Sequence, residues 1–448
     1  MRRFLPIIIV SVLAALVGFA TSWTELRPEK AAKAVAPARV QTTALQLVLT
    51  PLSGKDKIDR DIADLQARVK HTPSQAAMLL ERLGWKFVEK ARISSDPGYY
   101  KLAEQCADAI EGKKPATPDA ELLRGHIYHA LHRFKEAEAV ARGLVAQRTF
   151  VFDYALLGDS LMEQGRLDEA VAAYQKMVDL KPCLQTYSRV AHMRWLKGDL
   201  PGAIQAISYA ATAGSILEPE PVAWAYTKLA FYELQSGRCD LALRSTEIAT
   251  QFVPDYAPAL LLRGRVLLAQ GKTAEAVSVL QAAAEKSPLP EYLWVLADAL
   301  RASHKPAEAA LVEKELRATG PANDPRTFSI YLVSRGDRSE VALRLAKADL
   351  ATRQDVFTRD ALAWAEFSQN DLKSARDNIQ RALSEGTKDS RLFYHAGVIA
   401  AAAGQTDRAR DFFAQSKTLE GTLMPSERTA LEQSIGLQFN PTKQFSSR

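Results

Sequence analysis

Residues 151–182 read VFDYALLGDSLMEQGRLDEAVAAYQKMVDLKP. Apolar residues recur three to four positions apart on either side of a short polar break, which predicts two amphipathic helices. Gly165 stands where the first helix must end, because glycine adopts the left-handed backbone of a helix C-terminus without strain. Pro182 closes the second helix, since its ring cannot continue the backbone hydrogen bonds. The stretch therefore predicts one helix-turn-helix unit.

Within this unit, Ala170 belongs to a ladder of ten alanines spaced almost evenly along the chain. The gaps between successive members are 34, 33, 33, 39, 34, 33, 33, 33 and 34 residues. A short side chain lets two antiparallel helices approach closely, and a period near 34 residues is typical of helix pairs stacked into a solenoid. The ladder alanines are Ala103, Ala137, Ala170, Ala203, Ala242, Ala276, Ala309, Ala342, Ala375 and Ala409.

Other residue types keep fixed distances from the ladder alanines. A small residue twelve positions earlier gives the first helix room, a turn residue five positions earlier ends that helix, and proline twelve positions later ends the second. The small residues are Gly125, Gly158, Ala191, Ala230, Gly264, Ala297, Ala363 and Gly397. The turn residues are Gly165, Gly198, Gly237, Gly271, Asn370 and Gly404, and the prolines are Pro182, Pro254 and Pro288.

The chain resembles the tetratricopeptide repeat (TPR) family over residues 73–419. In residues 151–182 only Met177 departs from the signature, at a position where the family usually has alanine. The matching residues are Tyr154, Leu157, Gly158, Leu161, Ala170, Tyr174 and Pro182. The resemblance implies an all-α fold, a right-handed α-solenoid of about ten TPR helix-turn-helix units. It also implies a protein or peptide partner in the concave groove.

Three places depart from the regular spacing. The unit before Ala103 has about seven extra residues, which we expect a turn at 94–98 to absorb. Ile330 stands where the unit of Ala342 needs a small residue, so we expect its first helix to be short or displaced. The 39-residue gap contains GSILEPEP at 214–221, which predicts a longer loop at the edge of the array.

Composition divides the chain into five segments. A short strand at 45–50 is an alternative to a fully flexible spacer. The segments are a signal anchor or signal peptide at 1–24, a flexible spacer at 25–58, the TPR solenoid at 59–419, a C-terminal capping helix at 420–437 and a disordered tail at 438–448.

The N-terminus predicts the location of the protein. Arg2 and Arg3 precede an uncharged run at 4–24, which is long enough to cross a bilayer core of roughly 30 Å. An uncleaved single-pass anchor is favoured, and a cleaved signal peptide is the alternative because small residues surround Phe19. Basic residues after the run favour the opposite orientation. Large domains often translocate regardless, so we expect extracytoplasmic repeats in the cell envelope.

Charge, cysteines and motifs indicate no catalytic, cofactor or metal site. The net charge is +6, but basic residues are interspersed with acidic ones, which argues against nucleic acid as a partner. Three widely spaced cysteines do not form a disulfide framework. His126, His129 and His132 are spaced by three along one helix, so the first two share a face and could approach a metal, but no third ligand is evident. The sequence therefore predicts a protein that is not an enzyme.

Large rings concentrate on the expected inner side of the first helices. Tryptophan combines a large apolar area with one donor, as binding sites favour, so we predict a partner-binding groove. Packing between neighbouring helices is the alternative for any one ring. The predicted groove residues are Trp85, His126, His129, Trp195, Trp224, Phe231, Trp294, Trp364, Phe367 and Tyr394.

These features predict a membrane-tethered or exported scaffold for protein-protein interactions in the cell envelope. One alternative is an accessory or recruiting subunit of an envelope polysaccharide-synthesis or secretion complex, with catalysis on another chain. A second is a structural protein that self-associates into a homo-oligomer.

Overall fold

A computed structural model describes residues 43–111, 117–337 and 340–439, and these described residues form one unit. The predicted anchor at 1–24, residues 25–42 of the predicted spacer and residues 440–448 of the predicted tail lie outside the described residues, and residues 438–439, predicted as tail, end the last helix. The described part of the chain is helical and contains no strand. None of its helices is both long enough and apolar enough to cross a membrane.

Ten antiparallel helix pairs form the body of the structure, as the period predicts. Two helices precede them, α1 (Ala44–Val48) and α2 (Lys57–His71), with a 3-10 turn at Pro73–Gln75. The pairs are α3 (Ala76–Ser94) with α4 (Gly98–Glu111), α5 (Pro118–Ala130) with α6 (Phe134–Gln147), α7 (Val151–Glu163) with α8 (Leu167–Leu180), α9 (Leu184–Leu196) with α10 (Leu200–Thr212), α11 (Pro219–Gln235) with α12 (Cys239–Phe252), α13 (Ala257–Ala269) with α14 (Thr273–Lys286), α15 (Pro290–Ala302) with α16 (Pro306–Asn323), α17 (Pro325–Ser334) with α18 (Glu340–Thr352), α19 (Val356–Ser368) with α20 (Leu372–Leu383), and α21 (Ser390–Ala402) with α22 (Thr406–Thr418). A 3-10 turn at Glu420–Thr422 and α23 (Pro425–Phe439) follow them.

The ladder alanines lie where the two helices of each pair cross. All ten are fully buried, with no exposed surface. The small residue of the first helix is equally constrained: a Cβ built on Gly158 would lie 2.4 Å from Cε1 of Tyr174. Since real Cβ contacts are never so short, the close approach of α7 and α8 requires glycine at this place.

The turns between paired helices share one left-handed residue, as predicted. Every predicted turn residue has a positive φ, from 63° at Asn370 to 80° at Gly198. His132 and His304 take the same place in two further turns, each with φ 59°. Arg133 donates its N–H to the Tyr128 carbonyl at 2.8 Å, the bond that closes a helix of this kind. The three prolines also behave as predicted, because α8, α12 and α14 each end two residues before one.

First helices line one side of the solenoid. Several successive first helices, such as α5 and α7 or α11 and α13, contact each other. The second helices make no comparable contacts with one another in the part of the chain that the structure describes. The first helices are therefore on the concave side, and we call their concave surface the inner face.

The irregular units follow the expectations closely. Ser95 has a left-handed φ of 54° and separates α3 from α4 within the predicted turn. α17 has ten residues, whereas most first helices have thirteen, which confirms a short first helix. The surplus at 214–221 is divided between a loop and a lengthened α11 of 17 residues. Ile216 and Leu217 in that loop are 81% and 83% exposed.

Part of the predicted spacer is helical and docked on the repeats. Residues 44–48 form a helix, so the strand considered there is absent. Thr43 caps this helix, and Val48 is fully buried. Nε2 of Gln66 donates to the carbonyl oxygens of Val48 and Thr50, at 2.8 and 2.9 Å. These hydrogen bonds hold residues 44–50 against α2. The alanine- and proline-rich composition of the predicted spacer does not indicate this ordered contact.

Units that are six apart touch each other along the superhelix. The Leu196 carbonyl at the end of α9 accepts a hydrogen bond from Oγ1 of Thr387, which precedes α21, at 2.5 Å. The Glu163 carbonyl at the end of α7 accepts one from the backbone N–H of Gln354, which precedes α19, at 2.8 Å. Successive superhelical turns are thus in contact, and we call this line of contacts the inter-turn seam.

The seam continues beyond these two hydrogen bonds. Ser95 and Ser287, 192 residues apart, approach to 3.1 Å between their hydroxyl oxygens. At the other end, Ser426 at the start of α23 donates from its N–H and its hydroxyl to Oδ2 of Asp298, at 3.0 and 2.6 Å. The predicted capping helix therefore covers α15 of the previous turn as well as the last unit.

Candidate functional site

The inner face carries the predicted groove residues, but in two different environments. Four of them are buried in the wall of the solenoid, and six keep partial exposure. The buried ones are Trp195, Trp294, Trp364 and Tyr394. The half-buried ones are Trp85, His126, His129, Trp224, Phe231 and Phe367.

Trp195 lies between two superhelical turns. Its Nε1 donates to Oε1 of Gln235 at 2.6 Å, and its ring stacks on that of Phe357 with centroids 5.4 Å apart. Phe231 meets the same indole edge-on at 5.4 Å. Only 6% of Trp195 is exposed, so its contacts are with the chain itself.

Trp364 and Trp294 also pack inside the wall. Trp364 stacks on His395 with centroids 4.1 Å apart, and its Nε1 donates to the hydroxyl of Ser334 at 3.2 Å. Trp294 lies edge-on to Tyr331 at 5.6 Å, with the Arg391 guanidinium 5.2 Å from its centroid. These rings stabilise neighbouring first helices, as the packing alternative states.

Trp85 and two histidines line the N-terminal part of the inner face. The Trp85 and His126 ring centroids are 5.2 Å apart, and His129 meets Phe134 at the same distance. Burial lowers the pKa of His126 to about 3 and also lowers the pKa of His129, so both imidazoles are neutral at pH 7. Among the described residues no three His, Cys, Asp or Glu side chains are placed to hold a metal ion.

An ion pair joins the inner faces of α7 and α9. Nη2 and Nε of Arg189 donate to the two carboxylate oxygens of Asp159, at 2.5 and 2.8 Å. The Tyr174 hydroxyl donates to Oδ1 of Asp159 at 2.8 Å. Burial alone would raise the pKa of Asp159, but the facing guanidinium and these hydrogen bonds lower it below its usual range. The carboxylate is thus held ionised within the concave side.

The next unit places a lysine among aromatic rings. Nζ of Lys228 lies 5.5 Å from the ring centroid of Trp224, one helical turn earlier in α11. No ion pair or hydrogen bond to Lys228 occurs among the described residues. Burial lowers the pKa of Lys228, and burial together with this nearby cation lowers the pKa of His192 to about 4. Lys228 and Trp224 therefore lie side by side on α11, and both keep partial exposure.

Two cavities lie near the inter-turn seam. The larger, about 390 Å³, is bounded by α11, α12 and the C-terminal segment, with Cys239 and Arg428 in its wall. The smaller, about 150 Å³, is lined by Arg265, Arg326 and Arg391. Each of these three arginines already pairs with a carboxylate, so this cavity has no excess positive charge.

Asp159, Arg189, His192 and Lys228 are absent from the predicted set. A positional signal for them exists, because Asp159 and His192 each follow the small residue of their unit, where His126 also stands. Alignment of the units at that residue would place these side chains on the inner face. The groove prediction selected residues mainly by the size of their aromatic rings, so it did not include these charged and polar side chains.

Comparison with known proteins identifies the repeats. The tetratricopeptide repeat model matches residues 155–215, 227–290, 261–324 and 361–419. No curated protein sequence matches the chain. Among solved structures, the MamA protein is 21% identical with a TM-score of 0.30, and the match covers 38% of this chain and 92% of MamA.

Two other solved structures are similar over longer stretches. A tetratricopeptide repeat protein from Parabacteroides merdae is 17% identical with a TM-score of 0.33, covering 57% of this chain and 99% of its own. The human IFIT1 dimer with PPP-AAAA is 15% identical with a TM-score of 0.46, covering 84% of this chain and 94% of its own. With the four matched segments and ten helix pairs whose ladder alanines are all buried, the chain belongs to the tetratricopeptide repeat family.

Proposed function

We propose that this TPR protein is a membrane-tethered or exported scaffold of the cell envelope, and that a segment of a partner protein binds along its inner face. TPR repeats imply a scaffold for protein-protein interactions. The uncharged run at 4–24 after two arginines supports the envelope location. The observation that carries the binding proposal is the half-buried surface around Trp224, Lys228 and Phe231.

The form of the solenoid restricts how the partner binds. Trp195 and Phe357 fill the space between two turns, so a partner cannot use Trp195 while the seam is closed. Trp224 and Phe231 are partly exposed aromatic rings on the same helix as the cation of Lys228. Together they offer apolar area and a positive charge, a combination that binding sites favour. The partner segment therefore follows the inner face past α11 and does not enter through the seam.

Location and partner binding need separate experiments. Cells expressing the full chain are fractionated, and protease is added to spheroplasts to test whether the repeats are outside the cytoplasm. We expect membrane-bound or exported repeats that protease reaches. Repeats that remain protected in intact spheroplasts would contradict the proposed location.

Co-purification from solubilised membranes tests the scaffold. We expect a stable heteromeric partner that is lost with Trp224→Ala and retained with Tyr209→Ala, a matched control whose ring is 51% exposed on α10. Self-association without any other protein would favour the structural alternative. Equal recovery of the partner with both variants would place its binding surface elsewhere.

A further inference from the structure

The ion pair on α7 and α9 recurs in an altered form on α9 and α11. Asp159 is one residue after Gly158, and Arg189 is two residues before Ala191. The same two places in the next pair of first helices hold His192 and Lys228. Their spacing is 36 residues instead of 30, and the surplus of six is the difference between the 39- and 33-residue gaps. A neutral histidine thus stands where the carboxylate partner of the lysine is expected.

Lys228 forms no ion pair with a carboxylate of the described residues. Glu291 is the carboxylate whose charge acts on Lys228, but it lies beyond ion-pair distance of the lysine and pairs with Arg265, and three other carboxylates of this region also pair with arginines. These pairs are Asp159 with Arg189, Glu163 with Arg353, Asp355 with Arg326, and Glu291 with Arg265. A half-buried ammonium group without a counter-ion loses hydration and gains no ion pair. This imbalance points to a negative charge supplied from outside the chain.

We propose that Lys228 binds an aspartate or glutamate side chain of the partner segment, and that Trp224 and Phe231 contact an apolar residue beside it. This inference rests on the proposed function and specifies its ligand chemistry. The chain's own remaining segments do not fit the site by charge. Residues 1–42 contain six basic and two acidic residues, and residues 440–448 contain two basic and no acidic ones.

Selection from a phage-displayed library of random 12-residue peptides on the solubilised full-length chain tests the proposal. We expect the selected peptides to carry an acidic residue next to an aromatic or aliphatic one. Lys228→Met should lose this acidic preference, whereas Lys176→Met, which changes an exposed lysine on α8, should keep it. A thermal melt of each variant checks that the fold is retained.

The outcomes separate this inference from the proposed function. Selected peptides without acidic residues, or an acidic preference that survives Lys228→Met, would overturn the inference and leave the scaffold proposal standing. Complete absence of binding peptides, together with no partner in co-purification, would contradict both. A selected peptide is then compared with its Glu-to-Gln form by fluorescence anisotropy. We expect about a tenfold weaker Kd for the Gln form with the unmodified chain and no difference with Lys228→Met.

His192→Asp provides an independent test. It places a carboxylate where Asp159 stands one unit earlier, so Lys228 should pair internally and release the peptide. We expect about a tenfold loss of affinity for the acidic peptide with an unchanged or higher melting temperature. Unchanged affinity in a folded His192→Asp variant would overturn the inference.

Discussion

The indole of Trp195 and the ring of Phe357 stack 15° from parallel, with their centroids 5.4 Å apart. The two residues belong to α9 and α19, which lie in successive turns of the superhelix. Each ring removes apolar surface of the other from water. Two hydrogen bonds follow the same line, from the Thr387 hydroxyl to the Leu196 carbonyl and from the Gln354 N–H to the Glu163 carbonyl. The inter-turn seam is therefore an apolar and hydrogen-bonded contact, and it makes distant units depend on each other.

Trp195→Ala should destabilise the protein by about 3–5 kcal/mol, because it leaves a cavity between two turns and removes the donor bonded to Gln235. Urea unfolding followed by circular dichroism measures the loss. Tyr209→Ala is the control, since this ring is 51% exposed and its removal should cost less than about 0.5 kcal/mol. Similar costs for the two variants would mean that the seam is not closed in solution.

Ala170→Leu should destabilise the protein by about 1–3 kcal/mol or more, because Ala170 is fully buried where α7 and α8 cross and a larger side chain would separate them. Ala172→Leu adds the same atoms on the exposed side of α8 and should change stability by less than about 0.5 kcal/mol. Thermal unfolding of both variants provides the comparison. A tolerated leucine at position 170 would contradict the crossing geometry that defines the repeat.

The sequence predicted what depends on neighbours within one unit. Gly165 and Pro182 act within a few residues of their own position, and Ala170 acts across a single helix pair, so their spacing is visible in one dimension. His132 has the same left-handed backbone conformation as the turn glycines, although it is neither glycine nor asparagine. A search for those two residue types alone therefore misses this turn.

The seam could not be predicted in the same way. Leu196 and Thr387 are 191 residues apart, and their contact depends on the small rotation accumulated over six units. That rotation decides whether a large ring on a first helix faces solvent or another turn. Residue type alone therefore did not separate Trp195, which is buried in the seam, from Trp224, which is half-buried on the inner face.

Stability should fall as the pH is lowered from about 6.5 to 4. Burial lowers the pKa of His126 to about 3 and that of His192 to about 4, whereas the same groups titrate near 6.5 when unfolded. The unfolded chain thus binds protons that the folded chain does not, and each histidine should cost about 1–2 kcal/mol between pH 7 and 5.

Glu163 acts in the opposite direction, because burial raises its pKa to about 7. Its contribution to stability is present below pH 4.5 and is lost as the pH rises through 7. The four histidines with lowered pKa values, His126, His129, His132 and His192, should together outweigh this glutamate. Urea unfolding at pH 7, 6 and 5 measures the trend, and a folded His126→Gln/His192→Gln variant should lose part of the decline, because burial also lowers the pKa of His129 and lowers that of His132 to about 4. An equal decline in that variant would assign the acid sensitivity to other groups.

Asp159→Ala and Lys228→Met should have opposite effects on stability. Asp159→Ala removes the partner of a guanidinium on the inner face and should cost about 3 kcal/mol, because Arg189 would then carry an unpaired charge there. Lys228→Met replaces an ammonium group that has no counter-ion with an apolar side chain of similar length, so stability should be unchanged or about 1 kcal/mol higher. Chemical denaturation of both variants gives the two values. The two variants could instead lose the same amount of stability. Lys228 would then stabilise the folded chain through a partner within the chain. The proposal that this lysine binds an acidic residue of another protein would lose its structural basis.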